Sequence, residues 1–317
     1  MPNNPTAQVE HKRFAFVMPT FNYAAYITRA IDSMVQQEGD DYQIIIMDDG
    51  STDETKEILK HKFSHIPNLH IYYQDNEGPN VACAEAIKKS NADYIIFMAA
   101  DDAISPVYLK KIRAILDNEP DLEMIFGNAR SISEKGKARV SVEILPSSVP
   151  KECFRMFLMG EVSIPTCGTL LKKDVMTPYI NYPRPYPHNY DTAILAHALL
   201  KNNWHQSQDI FVDVYSHSGR FRDSALPTCS GNNIVDIVFD KNLLGHAEGL
   251  GGLKIDFLAK YHVSNMRSFY RAKIWHEALN SFKLAFNTKP SSIFSATTLK
   301  RFVICFIRTQ MGRSLQS

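Results

Sequence analysis

The sequence predicts an α/β protein whose mostly parallel sheet is covered by helices on both faces, with a helical segment after it. Three apolar runs support this prediction, because each has the length of a buried strand and ends at polar residues: Phe14–Met18, Gln43–Met47 and Tyr94–Met98. A shorter run, His70–Tyr73, adds a fourth strand. Helical patterns separate these runs, and strand–helix alternation of this kind is typical of a parallel sheet.

The helices of this first half are predicted from apolar spacing and from start signals. The segment from Ser51 to Glu54 has the form of a capping box, a hydroxyl followed three residues later by Glu. Ser105 precedes a proline, which suits the first position of a helix. The predicted helices cover Ala24–Gln37, Asp53 through Leu59, Val81–Lys89, and Pro106 to about Asp117.

The alternation weakens after residue 120. Further strands are expected at Met124–Asn128, Ala138–Ile144 and Ile210–Tyr215, and helices at Cys153–Leu158 and Asp191–Leu200. A loop with three prolines, Asn181–Asn189, precedes the second of these helices. We therefore divide the chain into a disordered tail (1–11), a main domain (12–225, with halves 12–118 and 119–225) and a helical extension (226–317).

The extension has a helical pattern throughout. Apolar residues from Phe269 to Phe286 predict one helix, which Lys289-Pro290 ends, and a last helix is expected over Ile293–Ile307. From Tyr261 to the end the chain has nine Lys/Arg and one acid, a net charge of +8, which leaves −7 for residues 1–260. Such asymmetry predicts an anionic surface as partner, such as a membrane, although a solvated basic face is the simpler interpretation.

Composition limits the class of protein. With 44% hydrophobic and 22% charged residues the chain is ordinary for a soluble protein, and a net charge of +1 does not favour nucleic acid as a partner. Five cysteines without C-x-x-C spacing indicate reduced thiols. Residues 1–13 lack the apolar core of a signal peptide. We expect a cytoplasmic protein, with a peripheral position at the inner face of the membrane through residues 261–317 as a hypothesis.

Four polar loops follow the four strands of the first half. In parallel α/β sheets ligands bind beyond the carboxyl ends of the strands, so these loops are expected at one edge. They are Pro19–Asn22, Asp48–Asp49, Gln74–Asn80 and Asp101–Asp102. Carboxylate oxygens are ligands that Mg²⁺ and Mn²⁺ prefer, and the simpler interpretation of the acids, as turn or cap residues, is less favoured for a buried strand ending in two of them.

These motifs resemble those of inverting glycosyltransferases of the GT-A fold, family 2. The resemblance rests on Pro19-Thr20-Phe21-Asn22, Met47-Asp48-Asp49-Gly50-Ser51-Thr52-Asp53, Asn76-Glu77-Gly78 and Phe97-Met98-Ala99-Ala100-Asp101-Asp102 in that order. It is specific over residues 12–118 and weaker to about 222. It implies transfer of one sugar from a nucleotide-diphosphate sugar, with UDP favoured, to a glycan or lipid-linked acceptor, residues 12–118 binding the donor and 119–225 the acceptor.

The resemblance also implies roles for individual residues. The first loop would lie along the base and ribose, Asp49 would bond the base, and Asp191 would be the catalytic base. Asp101 and His217 would hold the metal, Mn²⁺ or Mg²⁺. The implied nucleotide-sugar site comprises Pro19, Thr20, Phe21, Asn22, Asp48, Asp49, Asn76, Gly78, Ala100, Asp101, His217, Arg220 and Arg222.

The sequence departs from the family pattern at several of its functional positions. Ala99 replaces the first acid of the Asp-x-Asp motif, Cys83 replaces an Arg of the third helix, and Tyr190 replaces the Glu before Asp191. His197 stands where an Arg is usual. These departures keep open an alternative, a catalytically inactive relative that binds a nucleotide sugar or a partner. A dinucleotide-dependent oxidoreductase is disfavoured, because the first strand is not followed by G-x-G-x-x-G.

Overall fold

The structure is a computed structural model, and it describes residues 10–141, 145, 148–184, 186, 189–217, 234–244 and 249–314. The chain forms two compact units. The first comprises Met1–Phe154, Val162–Tyr186 and Ile194–Ser218, and the second comprises Arg155–Glu161, Pro187–Ala193 and Gly219–Ser317. Residues 1–9 of the predicted tail lie outside the described residues. His11, which also belongs to the predicted tail, is described: its Nε2 lies 3.0 Å from Asp93 Oδ1.

The first unit contains one mixed sheet with strand order β3-β2-β1-β4-β8-β6-β9-β5, and β7 pairs with β6. The strands are β1 Lys12–Thr20, β2 Tyr42–Asp48, β3 Leu69–Tyr73, β4 Ala92–Phe97, β5 Ala103–Ile104, β6 Met124–Ile132, β7 Ala138–Ser141, β8 Leu170–Lys172 and β9 Trp204–Tyr215. The predicted strands of the first half form its parallel part, β3-β2-β1-β4. Antiparallel pairings with β8 join this part to the rest.

Helices cover both faces of the parallel part, as predicted. The first-half helices are α1 Ile27–Val35, α2 Thr55–Ile58 (continued as a π-helical turn to Phe63), α3 Pro79–Lys89 and α4 Tyr108–Asn118. On one face α1 and α4 pack on alternate strand residues such as Phe14 and Phe16, which are fully buried. The intervening residues Ala15 and Val17 are buried on the opposite face, which α3 contacts.

Three boundaries of the first half were predicted wrongly: the end of one strand and the starts of two helices. The strand β1 continues through Pro19 to Thr20. Its hydrogen-bonded ladder to β4 ends at Val17, so the ladder does not need a backbone amide at Pro19. The helix after β1 begins three residues late, at Ile27. The predicted capping box is absent, since the helix starts at Thr55 and the Ser51 hydroxyl accepts a hydrogen bond from Asn22 N instead.

The Ser105-Pro106 signal is wrong for a related reason. The helix α4 begins at Tyr108, and its Leu109 amide donates to Oε1 of Gln37 at 3.0 Å. The same Gln37 side chain donates from Nε2 to Ser105 O at 2.9 Å. A side chain 72 residues away therefore caps this helix, and no local pattern in the sequence could indicate it.

The second half of the main domain departs further from prediction. Its helices are α5 Pro150–Met159, α6 Lys173–Ile180 and α7 Tyr190–Lys201. The predictions of α5 and α7 are confirmed, whereas α6 was missed because Pro178 lies inside it. Residues 142–144 of one predicted strand lie outside the described part of the chain. The strand β9 begins six residues earlier than predicted, at Trp204.

The described part of the second unit after residue 219 contains only helices, as predicted. They are α8 Ile234–Val238, α9 Lys241–Leu244, α10 Gly251–Arg271, α11 Trp275–Thr288, a 3₁₀ turn at Pro290–Ile293, and α12 Ala296–Ser314. The single helix expected from Phe269 to Phe286 is wrong: α10 ends at Arg271, and Lys273 has φ +61°. Apolar spacing continues across this break because α10 and α11 bury residues in the same cluster.

Candidate active site

Two loops are joined where β1 and β2 end. Thr20 is paired with Asp48 in the parallel ladder, and the amide of Asp49 donates to Thr20 O at 2.9 Å. The Thr20 hydroxyl is buried, and no residue of the described chain accepts or donates a hydrogen bond to it. A buried hydroxyl without a partner is costly, so this position is expected to meet a ligand group.

Asn22 holds the first loop against the second. It adopts a left-handed conformation with φ +60°, and its amide donates to Ser51 Oγ at 2.9 Å. Its side-chain oxygen accepts the amide of Thr52 at 2.7 Å and the amide of Asp53 at 3.3 Å. The side-chain oxygen of Asn22, a residue of the predicted nucleotide-sugar site, is therefore engaged in fixing the loop after β2.

Asp49 organises the loop after β3. Its Oδ1 accepts Gln74 Nε2 at 2.8 Å and the amide of Glu77 at 2.9 Å, and its Oδ2 accepts the amide of Gly78 at 2.9 Å. The carboxylate is 2% exposed. Because a carboxylate has about four acceptor sites, three protein donors leave room for one more, such as a base N–H. The neighbouring Asp48 is buried too, and it accepts the Ser51 amide at 3.1 Å.

Glycine is required at two points of these loops. Gly50 has φ +78°, and a side-chain carbon there would lie 3.0 Å from the Asn76 amide nitrogen. Gly78 has φ +93° and precedes Pro79, the first residue of α3. The left-handed conformation is accessible to glycine without the steric cost that other residues incur. The two glycines are therefore explained by the backbone conformation of these loops, in addition to the space that they leave for a ligand.

Asp101 and His217 form a buried pair at the end of β4. Asp101 Oδ2 lies 2.9 Å from His217 Nε2, and the two side chains are 7% and 8% exposed. The Tyr26 ring stacks on the imidazole at a centroid distance of 4.0 Å, and Tyr23 meets its edge at 6.3 Å. Tyr23 also donates its amide to Thr55 Oγ1 at 3.0 Å. These contacts connect the Asp101–His217 pair to the loops after β1 and β2.

Two supporting residues of this pair, Tyr26 and Arg29, were missed from the sequence. Arg29 Nη2 donates to Asp101 O at 2.6 Å, and its guanidinium lies 3.5 Å from the centre of the Tyr215 ring. Asp102 Oδ1 accepts the amide of Tyr215 at 3.1 Å, which fixes β9 two residues before His217. Tyr26 and Arg29 are three residues apart at the start of α1, so they share one face. That spacing next to the first loop is the signal that could have identified them.

The remaining residues of the predicted nucleotide-sugar site differ in exposure. Phe21 is exposed, Asn76 is exposed, and Pro19 is half-buried in β1. Ala100 is buried beside Asp101. Arg220 and Arg222 lie outside the described residues. The prediction that the loops after β1, β2, β3 and β4 lie at one edge of the sheet is thus confirmed by the pairings, whereas the ligand role of each side chain stays a prediction.

Asp191 lies in the first turn of α7, in the second unit. It is half-buried, and its Oδ1 accepts the Thr192 amide at 2.9 Å. Tyr190, which replaces the usual acid before it, is buried. The helix start was predicted correctly, and the role of Asp191 as base stays a prediction.

His197 has a structural environment. It is buried, and its Nδ1 lies 2.5 Å from the Tyr179 hydroxyl, with the Phe154 ring parallel to it at 6.3 Å. Burial raises the pKa of Tyr179, so the phenol keeps its proton and remains a hydrogen-bonding group. A buried histidine paired with a tyrosine hydroxyl therefore occupies the place where the family pattern has an arginine.

Arg184 in the proline-containing loop bridges two acids of the first unit. It contacts Glu77 Oε2 from Nη1 at 2.7 Å and Glu85 Oε1 from Nη2 at 2.5 Å. Glu77 belongs to the loop that Asp49 holds, and Glu85 belongs to α3. This bridge is partly exposed, so we expect it to contribute about 0 to 1 kcal/mol. Its effect is to attach Arg184 to the loop after β3 and to α3.

The Asp101–His217 pair is the best candidate for a metal position. Among the described residues there is no group of three or more His, Cys, Asp or Glu side chains arranged to hold a metal ion. One carboxylate and one imidazole nitrogen can still serve a cation that takes phosphate oxygens and water as its other ligands. The mixed oxygen and nitrogen set suits Mn²⁺ better than Mg²⁺, which prefers oxygen alone.

The fold and this edge define an α/β protein of the nucleotide-binding kind, with its site at the carboxyl ends of parallel strands. The family model for glycosyl transferase family 2 matches residues 15–176, about half of the chain. The chain belongs to glycosyl transferase family 2. The matched region begins within β1 and ends within α6, so it includes Asp49 and Asp101 and ends before Asp191.

Curated relatives match the same region. A dolichyl N-acetyl-alpha-D-glucosaminyl phosphate 3-beta-D-2,3-diacetamido-2,3-dideoxy-beta-D-glucuronosyltransferase of Methanococcus voltae is 30% identical over 135 residues, 40% of this chain and 42% of that protein. The chondroitin synthase of Escherichia coli is 28% identical over 148 residues, 44% of this chain and 22% of that protein. The chain thus matches less than half the length of these relatives.

A solved structure shares the fold. The crystal structure of residues 1–349 of Staphylococcus aureus TarS in complex with UDP-GlcNAc superposes with a TM-score of 0.64 and 17% identity. The match covers 93% of this chain and 89% of that one. This likeness confirms the predicted GT-A fold. No helix within the described stretches is both long and apolar enough to cross a lipid bilayer.

Proposed function

We propose that the chain moves one sugar, a hexose or N-acetylhexosamine, from a UDP-sugar to a hydroxyl of a glycan or lipid-linked acceptor, with inversion and with assistance from a divalent metal. The observation that carries this proposal is the convergence of Thr20, Asp49 and Asp101 at one sheet edge. TarS, a structural neighbour, was crystallised with UDP-GlcNAc, which supports a donor of this class.

The base and ribose are assigned to the first two loops. Asp49 is rigidly held by three donors and retains an acceptor site that suits the N–H of uracil. The buried Thr20 hydroxyl lacks a partner within the described chain and suits a polar group of the same nucleotide. Phe21 is exposed beside them and offers an aromatic face. Recognition of the nucleoside therefore rests on positions that are fixed before the donor binds.

The diphosphate is assigned to Asp101 and His217, which would hold a divalent cation. Such a cation neutralises the negative charge of the diphosphate and of its leaving group. The residues of the chain contribute the positioning: Asp102 fixes Tyr215, Tyr26 stacks on the imidazole, and Arg29 holds the Asp101 carbonyl. Asp191 is assigned to accept the proton of the attacking acceptor hydroxyl, and direct in-line attack inverts the anomeric centre.

A panel assay tests the proposal. UDP release is measured from UDP-GlcNAc, UDP-GalNAc, UDP-glucose, UDP-galactose and UDP-glucuronate, each with MnCl₂, with MgCl₂ and with EDTA. We expect release from one donor, higher with Mn²⁺ than with Mg²⁺, and thermal stabilisation by the same donor. No stabilisation and no release with any donor would contradict the proposal.

Two variants test the base. Asp191→Asn keeps the side chain's size and is expected to lower the rate about 10²- to 10⁴-fold. Asp174→Asn is the matched control, because Asp174 also lies in the first turn of a helix and is exposed. A rate for Asp191→Asn equal to that of the control would remove Asp191 from this role.

Ala99 and Tyr190 favour one second candidate function, because each replaces an acid of the family pattern. In this candidate the chain binds a nucleotide sugar without turnover. The same panel distinguishes the two functions, since the inactive relative would be stabilised by a donor and would release no UDP.

A further inference from the structure

The last helix presents apolar side chains to solvent. Within α12, Leu299, Val303, Phe306 and Ile307 are 40%, 52%, 47% and 49% exposed. Their spacing of four, seven and eight residues places them on one face, which we call the outer strip. An exposed apolar face of this kind usually marks an interaction surface.

The opposite face of the same helix holds it in the second unit. Thr298 and Cys305 are each 1% exposed, and the Phe302 ring stacks on Phe282 at a centroid distance of 4.2 Å. Ser295 caps the helix start, where its Oγ accepts the Thr298 amide at 3.1 Å. The outer strip is therefore not the side on which α12 packs, and changes to it are expected to leave the fold intact.

The charges around the outer strip have one sign. Residues 278–317 contain six Lys/Arg and no Asp or Glu. On α12 itself Lys300 and Arg308 are exposed, and no acid of the described residues lies within ion-pair distance of either. Nearby Lys289 is neutralised by Asp256, and Arg301 lies over the Tyr270 ring at 5.7 Å. Exposed basic side chains without an acid at ion-pair distance thus lie on the helix that bears the apolar strip, and Lys283 of α11 is exposed as well.

We propose that the outer strip of α12 docks on the surface of an anionic lipid bilayer, with the helix axis in the plane of the interface. Apolar side chains on one face with exposed basic residues beside them are the pattern of interfacial helices. Basic side chains gain from anionic headgroups, whereas a second copy of this acid-free segment would bring like charges together. This proposal concerns lipid binding rather than sugar transfer. Vesicle binding and UDP release are measured in separate assays, so either can fail without the other.

Vesicle co-sedimentation of the full chain tests the proposal. The probes are vesicles of phosphatidylcholine alone and vesicles with 30% phosphatidylglycerol, at about 100 mM NaCl. We expect binding to the anionic vesicles only, and weaker binding at higher salt because screening shortens the reach of the charges. Absence of binding to the anionic vesicles would overturn the proposal.

Variants separate the apolar strip from the charges. Val303→Glu with Phe306→Glu is expected to weaken vesicle binding at least 30-fold. Lys300→Gln with Arg308→Gln is expected to weaken vesicle binding roughly 30-fold, because the loss of each charge weakens it about fivefold and the two factors multiply. Val107→Glu is the matched control, because Val107 is 48% exposed and lies in the first unit. Unchanged circular dichroism and thermal midpoints are required of each variant.

Two further results would contradict this assignment. Undiminished binding by Val303→Glu with Phe306→Glu would place the lipid contact elsewhere. Sedimentation velocity provides the other test: a dimer that dissociates in the same variant, in a chain that ignores vesicles, would assign the strip to a second copy instead.

Discussion

Replacing Asp49 by Asn tests whether this carboxylate stabilises the loop after β3 or contacts only the nucleotide sugar. The carboxylate accepts three hydrogen bonds, from Gln74, Glu77 and Gly78. An asparagine has one acceptor oxygen, so its amide nitrogen must face at least one of these donors. The side chain also loses its charge, which weakens the bonds that remain.

The expected cost follows from these contacts. Losing one bond to a charged acceptor removes about 2 kcal/mol, and converting the other two to neutral bonds removes about 1 kcal/mol each. Burying a neutral amide in place of a carboxylate returns part of this loss. We therefore expect the free energy of opening of the 74–78 loop to fall by about 2 to 4 kcal/mol.

Amide hydrogen exchange is the direct assay, because it reports local opening. Protection of the Glu77 and Gly78 amides is expected to fall about 30- to 700-fold, at 1.4 kcal/mol for each factor of ten. Asp117→Asn is the control, since Asp117 is 70% exposed and its nearest cation, Arg13, lies 3.8 Å away. We expect that variant to change stability by less than about 0.5 kcal/mol.

The result has a clear contrary outcome. If donor affinity falls in Asp49→Asn while protection of Glu77 and Gly78 stays at the wild-type level, Asp49 acts on the ligand alone. The observed hydrogen bonds would then contribute little to loop stability, and the reasoning above would be refuted.

Three further predictions concern buried polar groups. Thr20→Val removes a buried hydroxyl without a partner in the described chain, so the free energy of unfolding is expected to stay equal or rise by up to about 1 kcal/mol while calorimetry shows donor affinity about tenfold weaker. Tyr179→Phe removes the hydroxyl that contacts His197 Nδ1 and is expected to cost about 1 to 3 kcal/mol in urea unfolding, whereas an unchanged midpoint would contradict this contact. Burial, and then the charge of Asp102, raises the pKa of the Cys167 thiol; since only the thiolate reacts, iodoacetamide at pH 8 is expected to label it at least tenfold more slowly than the half-buried Cys83, as peptide mass spectrometry would show.

The parallel half of the fold could be predicted because its signals are local. Runs such as Ile44–Met47 are buried on both faces, and such strands are apolar without interruption. Acids at the ends of two runs then located the site edge correctly. The residues carry this information within a few positions of one another, so no knowledge of distant contacts was needed.

The missed features depend on contacts that the sequence does not reveal locally. Gln37 caps α4 across 72 residues, and Arg29 reaches the Asp101 carbonyl across the same separation. Pro178 argued against α6, yet the helix forms because Val175, Met176 and Tyr179 are buried. Tertiary burial overrides local propensity in such cases. The capping box at Ser51 failed similarly, because Asn22 provides a competing partner for its hydroxyl.

The acids of the loops after β2 and β4 have different partners, and Asp49 holds the loop after β3. Asp48 and Asp102 accept backbone amides, of Ser51 and Tyr215, and so fix the chain next to the site. Asp101 instead faces the imidazole of His217, at 2.9 Å from Oδ2 to Nε2. With Ala99 in place of a further acid, a dianionic diphosphate would meet one carboxylate rather than two. If the proposed diphosphate site at Asp101 is correct, alanine at position 99 would lower the cost of bringing the diphosphate there, because like charges at close range repel strongly in a buried site. The imidazole would then supply a ligand without adding negative charge.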